Sequence, residues 1–174
     1  RDTLSCMRAR YADDDVTPVG RLLRLRIPSL VIGLFLGLLL SFVVSGFEEV
    51  LSKNVAVAFF IPFIVYLADA VGTQTQSIYI RDLQTGKAVF RHYLVKEAVQ
   101  GIILGLLFSI AAAPVIYLWF ASRELTLAVC LSIAGAVTVA PIIALVVTEV
   151  LELEHTDPAE GAGPLATVIQ DTVS

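Results

Sequence analysis

From Ile27 to Phe47 the chain runs without a single Asp, Glu, Lys, Arg or His. A helix needs roughly 20 apolar residues to cross a hydrocarbon core about 30 Å thick, and this stretch supplies them. Three more segments of similar character follow, at about 55–80, 98–121 and 125–151, and a fifth starts at Pro158 and runs to Ser174. Composition makes the same demand, with 57% hydrophobic residues, 16% charged residues and a mean hydropathy of +0.83. Soluble domains sit near 45–50% apolar and about 25% charged. A chain of this size also leaves roughly a third of its unfolded surface exposed after folding, so the excess has no core to hide in. An ordinary soluble enzyme and a disordered tail are excluded. The net charge of −4 and pI of about 5.1 exclude a basic nucleic-acid-binding face. The fold class is all-α: a polytopic membrane helix bundle in contact with the lipid bilayer, with four complete spans and a fifth cut short by the chain end.

The organisation is a polar cytoplasmic N-terminal segment, 1–26, followed by a transmembrane domain, 27–174. The polar opening is too long for a signal peptide, and its first residue, Arg1, reads as the start of a fragment. Arg21, Arg24 and Arg26 flank span one, and Arg81, Lys87, Arg91 and Lys96 fill the loop between spans two and three. The other short loops hold Lys53 and Arg123. The excess of positive charge marks the cytoplasmic side, so the expectation is a multi-pass cell-membrane protein with its N-terminus and the acidic 149–160 segment inside. Asp13-Asp14-Asp15 reads as a solvated linker, and Cys130 as a small buried hydrophobe with no disulfide to Cys6. There is no C-x-x-C pair or His cluster to suggest zinc or redox chemistry.

Gly33-x-x-x-Gly37 in span one and Gly101-x-x-x-Gly105 in span three have the spacing that lets helices approach closely in lipid. Pro62, Pro114 and Pro141 fall inside spans, which a bundle tolerates when neighbours satisfy the freed carbonyls.

Polar groups at membrane depth carry the functional information, because each is costly there. Span two is apolar to Leu67 and then reads Asp69-Ala-Val-Gly72-Thr73-Gln74-Thr75-Gln76. On a helix Asp69, Gly72, Thr73 and Gln76 share a stripe that should face a water-filled cavity or a partner. The competing reading ends the span near Asp69 and leaves too few apolar residues to cross. Near the end of the chain, Asp157, Pro158 and Glu160 read as N-cap, N1 and N3 of a helix, a reading that stands beside a metal-binding role for Asp157. Gly161, Gly163 and Pro164 are poor helix-interior residues, suited to a thin segment where backbones meet or a channel is lined. Asp171 lies about 21 Å beyond Asp157 at ~1.5 Å per residue, on one face with Pro164 and Thr167. No Lys or Arg occurs inside a span, so its partner is water or a cation, unless the chain emerges there into solvent. His92 and His155 read as solvated loop residues. Glu48 and Glu49 read as a turn, or as an acidic entrance for cations.

Taken together, Arg26-Ile-Pro28, Phe47-Glu48, Pro62, Val71-Gly72-Thr73-Gln74, Arg81-Asp82-Leu83-Gln84-Thr85-Gly86, Asp157-Pro158-Ala159, Gly163-Pro164 and Asp171 give the chain its likeness to a known family. From Arg24 to Ser174 it resembles the transmembrane domain of the MgtE family of magnesium channels and transporters. The resemblance implies a homodimer of five-span protomers, with the pore at the dimer interface between spans two and five. It also implies that Asp171 is the pore metal site, with the backbone carbonyl of Thr167 beside it. Two departures stand out. Where the family usually has Gly-Gly-Asn, this chain has Ala68-Asp69-Ala70. Regulated members carry a cytoplasmic N-terminal portion with paired CBS domains, which is missing from this chain.

The function expected is a divalent cation channel or transporter, with Mg²⁺ as cargo, conducting hydrated ions past Asp171, Thr167 and Asp69, with Asp157 as a further candidate. Gly72, Thr73, Gln76, Gly163 and Pro164 would line the pore. Mg²⁺ is hard, takes oxygen ligands and sheds water reluctantly, so a few carboxylates suit its passage. Mn²⁺ and other hard divalent ions fit the same donors. One alternative is a Na⁺- or H⁺-coupled cation exporter using Asp69 as the coupling site. A more remote alternative is an intramembrane enzyme. Asp69 lacks the Gly-x-Gly-Asp setting of an aspartyl protease, and Ser45-Gly46 does not supply Gly-x-Ser-x-Gly.

Overall fold

A computed structural model describes residues 18–53, 55–86, 88–153 and 158–173. Among them the secondary structure is entirely helical: α1 (Val19–Ser45), α2 (Glu48–Lys53), α3 (Val55–Gln84), α4 (Phe90–Phe120), α5 (Arg123–Leu153) and α6 (Pro158–Val173). Helices α1, α3, α4 and α5 are each long and apolar enough to cross a membrane. They cover the four spans expected from the apolar runs to within two residues, α1 ending at Ser45 and α4 at Phe120, and each extends beyond its run at one end or both. α1 begins at Val19 and carries Arg21, Arg24 and Arg26 on its first turns, and α4 begins at Phe90, well before Ala98. Hydropathy marks where lipid contact ends, whereas hydrogen bonding lets the helix continue into the polar interface. Asp69 lies in the middle of the continuous α3, which removes the reading of a span that stops there.

Glu48 and Glu49 are exposed and form the first turn of the short α2, where acids complement the helix dipole. Between α4 and α5 the chain reverses through Ala121, which takes a left-handed conformation (φ 48°) and closes α4 through its N–H to the Tyr117 carbonyl. Ser122 then caps α5 by accepting the Leu125 N–H on its hydroxyl.

α5 is the central helix, packed against α3, α4 and α6, while α1 packs against α6. The core is built from Phe60, Ile64, Ala68 and Val71 of α3, Ile116 of α4, and Leu125, Val129, Ile133, Ala136, Val137 and Ala140 of α5. Phe60 and Phe120 meet edge to face at 5.5 Å. The two Gly-x-x-x-Gly pairs behave differently. A Cβ on Gly101 would stand 2.8 Å from the Thr138 carbonyl oxygen, and one on Gly105 would stand 2.8 Å from that of Ala134, so this pair lets α4 and α5 approach backbone to backbone. A Cβ on Gly37 would meet nothing within 4 Å. Cys130 is free and half-buried, its thiol 3.4 Å from the Ser109 carbonyl oxygen.

Candidate ion site between α3 and α6

Helix α6 runs through Gly161, Gly163 and Pro164, poor helix-interior residues, and packs on α5, α1 and α3. That packing brings Asp69 of α3 and Asp171 of α6, about a hundred residues apart in sequence, to within electrostatic reach of one another. The Thr167 hydroxyl donates to Asp69 Oδ1 at 3.1 Å, tying the two helices together at the level of the acids. Asp171 Oδ1 is buried and meets no donor. Two carboxylates and a hydroxyl thus share one locality, and no basic residue pairs with them among the described residues. Such a group is stabilised by a cation or by water, since an unpaired charge is expensive at membrane depth.

Gln170, next to Asp171, is 3% exposed. Its Nε2 donates to the Ala140 carbonyl of α5 at 3.1 Å. On the way its side chain crosses Gly72 of α3, filling the space that a larger residue there would occupy. Gly72 is therefore covered by α6 within the same protomer. Of the other residues on the Asp69 stripe, Thr73 is exposed and Gln76 half-buried. Gly163 and Pro164 lie in the first half of α6. Asp157 and His155 fall outside the described residues.

A second polar layer, absent from the sequence expectations, joins α3, α4 and α5 beyond the acid pair. The Thr75 hydroxyl donates to Glu97 Oε2 at 2.7 Å, and the Tyr79 hydroxyl donates to Glu149 Oε2 at 2.6 Å. The Tyr93 hydroxyl donates to Asp82, which also pairs with Arg81 at 3.1 Å. Glu152 Oε2 is buried without a partner. Helical spacing carries the only sequence signal for this layer: Thr75 and Tyr79 lie four residues apart, as do Tyr93 and Glu97. Gln170 had a comparable signal in its place between Thr167 and Asp171.

The fold and the site together define a helical membrane protein in which, among the described residues, Asp69 and Asp171 come together inside the bundle without a basic partner, an arrangement suited to cations. Residues 61–174 match the MgtE family of divalent cation transporters, and the chain belongs to that family. It is similar to the protein named magnesium transporter MgtE in Bacillus subtilis, with 29% identity over 152 residues, covering 86% of this chain and 34% of the relative. The protein of the same name in Thermus thermophilus is 29% identical over 149 residues, covering 84% of this chain and 33% of the relative. In Enterococcus faecalis the identity is 26% over 152 residues, with 86% and 34% covered. The chain thus spans about a third of the length of these relatives.

Proposed function

We propose that this chain is the membrane-embedded part of a Mg²⁺ pathway, with Asp171 as the principal ion ligand and Asp69 and Thr167 beside it. The observation that carries the reading is the buried Asp171 Oδ1, which has no donor and, among the described residues, lies beside a second carboxylate with no basic partner. In the assembly we infer, two copies face each other across α3 and α6, and the acids of both protomers ring one axis. A ring of carboxylates attracts cations, and a small number of them holds a hydrated ion weakly enough to release it. The N-terminus is cytoplasmic in this reading, which follows from the Lys and Arg residues around α1 and between α3 and α4.

Mg²⁺ uptake into liposomes containing the full chain tests the proposal. Asp171→Ala removes the ligand, and flux should fall to the level of empty liposomes. Undiminished flux would overturn the assignment. Imposed Na⁺ and proton gradients address coupling through Asp69, and a passive pathway predicts flux that follows the Mg²⁺ gradient alone.

A further inference from the structure

Helices α3 and α4 both lean on α5 and touch each other little, leaving a cleft between them. One cavity in the cleft, of about 370 Å³, lies where α3 ends and α4 begins and is lined by His92, Tyr93, Lys96, Glu97 and Gln100 over Ile78. A second, of about 500 Å³, is walled by aromatic and aliphatic side chains, among them Phe63 and Leu67 of α3 and Phe108 and Trp119 of α4. One face of α4 joins the two, since Gln100, Leu104 and Phe108 succeed one another at four-residue steps.

The polar cavity carries one full charge of each sign. Lys96 and Glu97 are the last charged residues before the run from Ala98 to Ser122, so both stand at the edge of the hydrocarbon. Successive residues diverge by about 100° around a helix, and the two side chains go different ways. Glu97 is 8% exposed; its Oε2 accepts the Thr75 hydroxyl, and a carboxylate has a second oxygen with acceptor capacity of its own. Lys96 is exposed, in one row with His92 and Gln100. Among the described residues neither Lys96 nor Glu97 is ion-paired. The cavity is therefore neutral overall but polarised, acidic on its inner wall and basic at its rim.

We propose that this cleft binds phosphatidylethanolamine, its ammonium donating to Glu97, its phosphate held by Lys96 and a ring N–H of His92, and one acyl chain laid along Leu104 and Phe108. A zwitterion suits the polarised cavity, because one molecule brings a counter-charge to each wall and leaves neither uncompensated at the membrane edge. A net anion or a net cation would set its charge against one of the two walls. Ethanolamine is favoured over choline because its ammonium can form a charge-assisted hydrogen bond to Glu97, whereas a quaternary nitrogen has no N–H to donate. The apolar continuation makes the occupant a lipid. Lys96 to Phe108 spans about 18 Å at ~1.5 Å per residue. That is close to the ~15 Å depth of one leaflet's hydrocarbon, so a chain anchored at Lys96 reaches the aromatic cavity at Leu67 and Phe108. The site uses neither Asp69 nor Asp171 and stands apart from the ion pathway.

Native mass spectrometry of the detergent-purified full chain tests it, with phosphatidylethanolamine, phosphatidylcholine and phosphatidylglycerol of matched acyl chains offered in equal amounts. Wild type should retain phosphatidylethanolamine over each of the others by about fivefold or more, the order of one net hydrogen bond. Glu97→Gln keeps an acceptor for Thr75 and removes the charge, and should bring phosphatidylethanolamine and phosphatidylcholine to near-equal retention. Lys96→Gln acts on the phosphate that both lipids carry, so it should lower both and leave their ratio. Gln100→Trp, which fills the polar cavity, should also lower both. These two positions are exposed, so their variants keep the test available if Glu97→Gln does not fold. Excess glycerophosphoethanolamine, the headgroup without its chains, should leave the lipid bound. Equal retention of phosphatidylethanolamine and phosphatidylcholine by wild type would overturn the proposal, as would phosphatidylglycerol retained as well or better. So would an unchanged ratio in Glu97→Gln, a ratio lost in Lys96→Gln, full retention in Gln100→Trp, or displacement by the soluble headgroup.

Discussion

The side-chain amide of Gln170 lies directly over Gly72, its Oε1 2.7 Å from where a Cβ on that residue would sit. No Cβ can share that space, so alanine at position 72 forces Gln170 to move. The amide then gives up its 3.1 Å bond to the Ala140 carbonyl. Gly72→Ala should destabilise the bundle by about 1–3 kcal/mol, the usual cost of overpacking a buried site. Gln170→Ala opens the space, so the double variant should recover part of the loss. Thermal melts of the four proteins in detergent give the coupling energy, and strict additivity would contradict the relationship.

Asp69 differs from Asp171 in having a donor of its own. Asp69→Asn keeps an acceptor for the Thr167 hydroxyl but removes one charge from the site. The fold should be retained and the apparent affinity for Mg²⁺ should fall by at least about tenfold, because one unit charge about 4 Å from a cation is worth about 4 kcal/mol at an effective dielectric near 20 and water between ion and carboxylate screens part of it. Concentration-dependent flux in liposomes measures it. An affinity equal to wild type would mean that Asp69 does not share the ion with Asp171.

Much of the bundle was legible in the sequence because the relevant physics is local. Apolar length alone marks a span, and an acid such as Asp69 or Asp171 stands out because lipid penalises it wherever its partner comes from. What stayed hidden depends on neighbours. Gly33-x-x-x-Gly37 and Gly101-x-x-x-Gly105 have the same spacing, yet Gly101 and Gly105 face a neighbouring backbone, while a Cβ on Gly37 would meet only open space. Gln170 reads as an ordinary polar residue until α5 and α3 are placed around it. The helix ends were displaced for a related reason: hydropathy records where lipid ends, whereas α1 and α4 continue as helices through their basic first turns.

The contrast between the two glycine pairs is itself measurable. Gly105→Ala places a methyl against the Ala134 carbonyl, and Gly101→Ala places one against that of Thr138; backbone cannot rotate aside as a side chain can. Each should lower stability by about 1–3 kcal/mol. Gly37→Ala enters open space and removes a poor helix former, so it should be neutral or raise stability by up to about 1 kcal/mol. Equal losses at positions 37 and 105 would mean that α4 and α5 do not meet where Gly105 places them.

At the other end of the bundle, Tyr79 is 1% exposed, and its hydroxyl bridges α3 to Glu149 of α5 at 2.6 Å. Its ring also meets Tyr93 of α4 edge to face at 4.9 Å, so one side chain joins three helices. Tyr79→Phe preserves the ring contact and removes only the hydroxyl, leaving the Glu149 carboxylate without this donor. Hydrogen bonds to a charged group contribute about 1.5–3 kcal/mol, and stability should fall by that order. Tyr66→Phe, at an exposed position on the same helix, should cost nothing measurable. Glu149→Gln should erase most of the Tyr79→Phe penalty, because the charge that the hydroxyl served is gone. A Tyr79→Phe loss that is the same in both backgrounds would place its origin in ring packing and remove the hydroxyl bridge from the account of how α3 is held to α5.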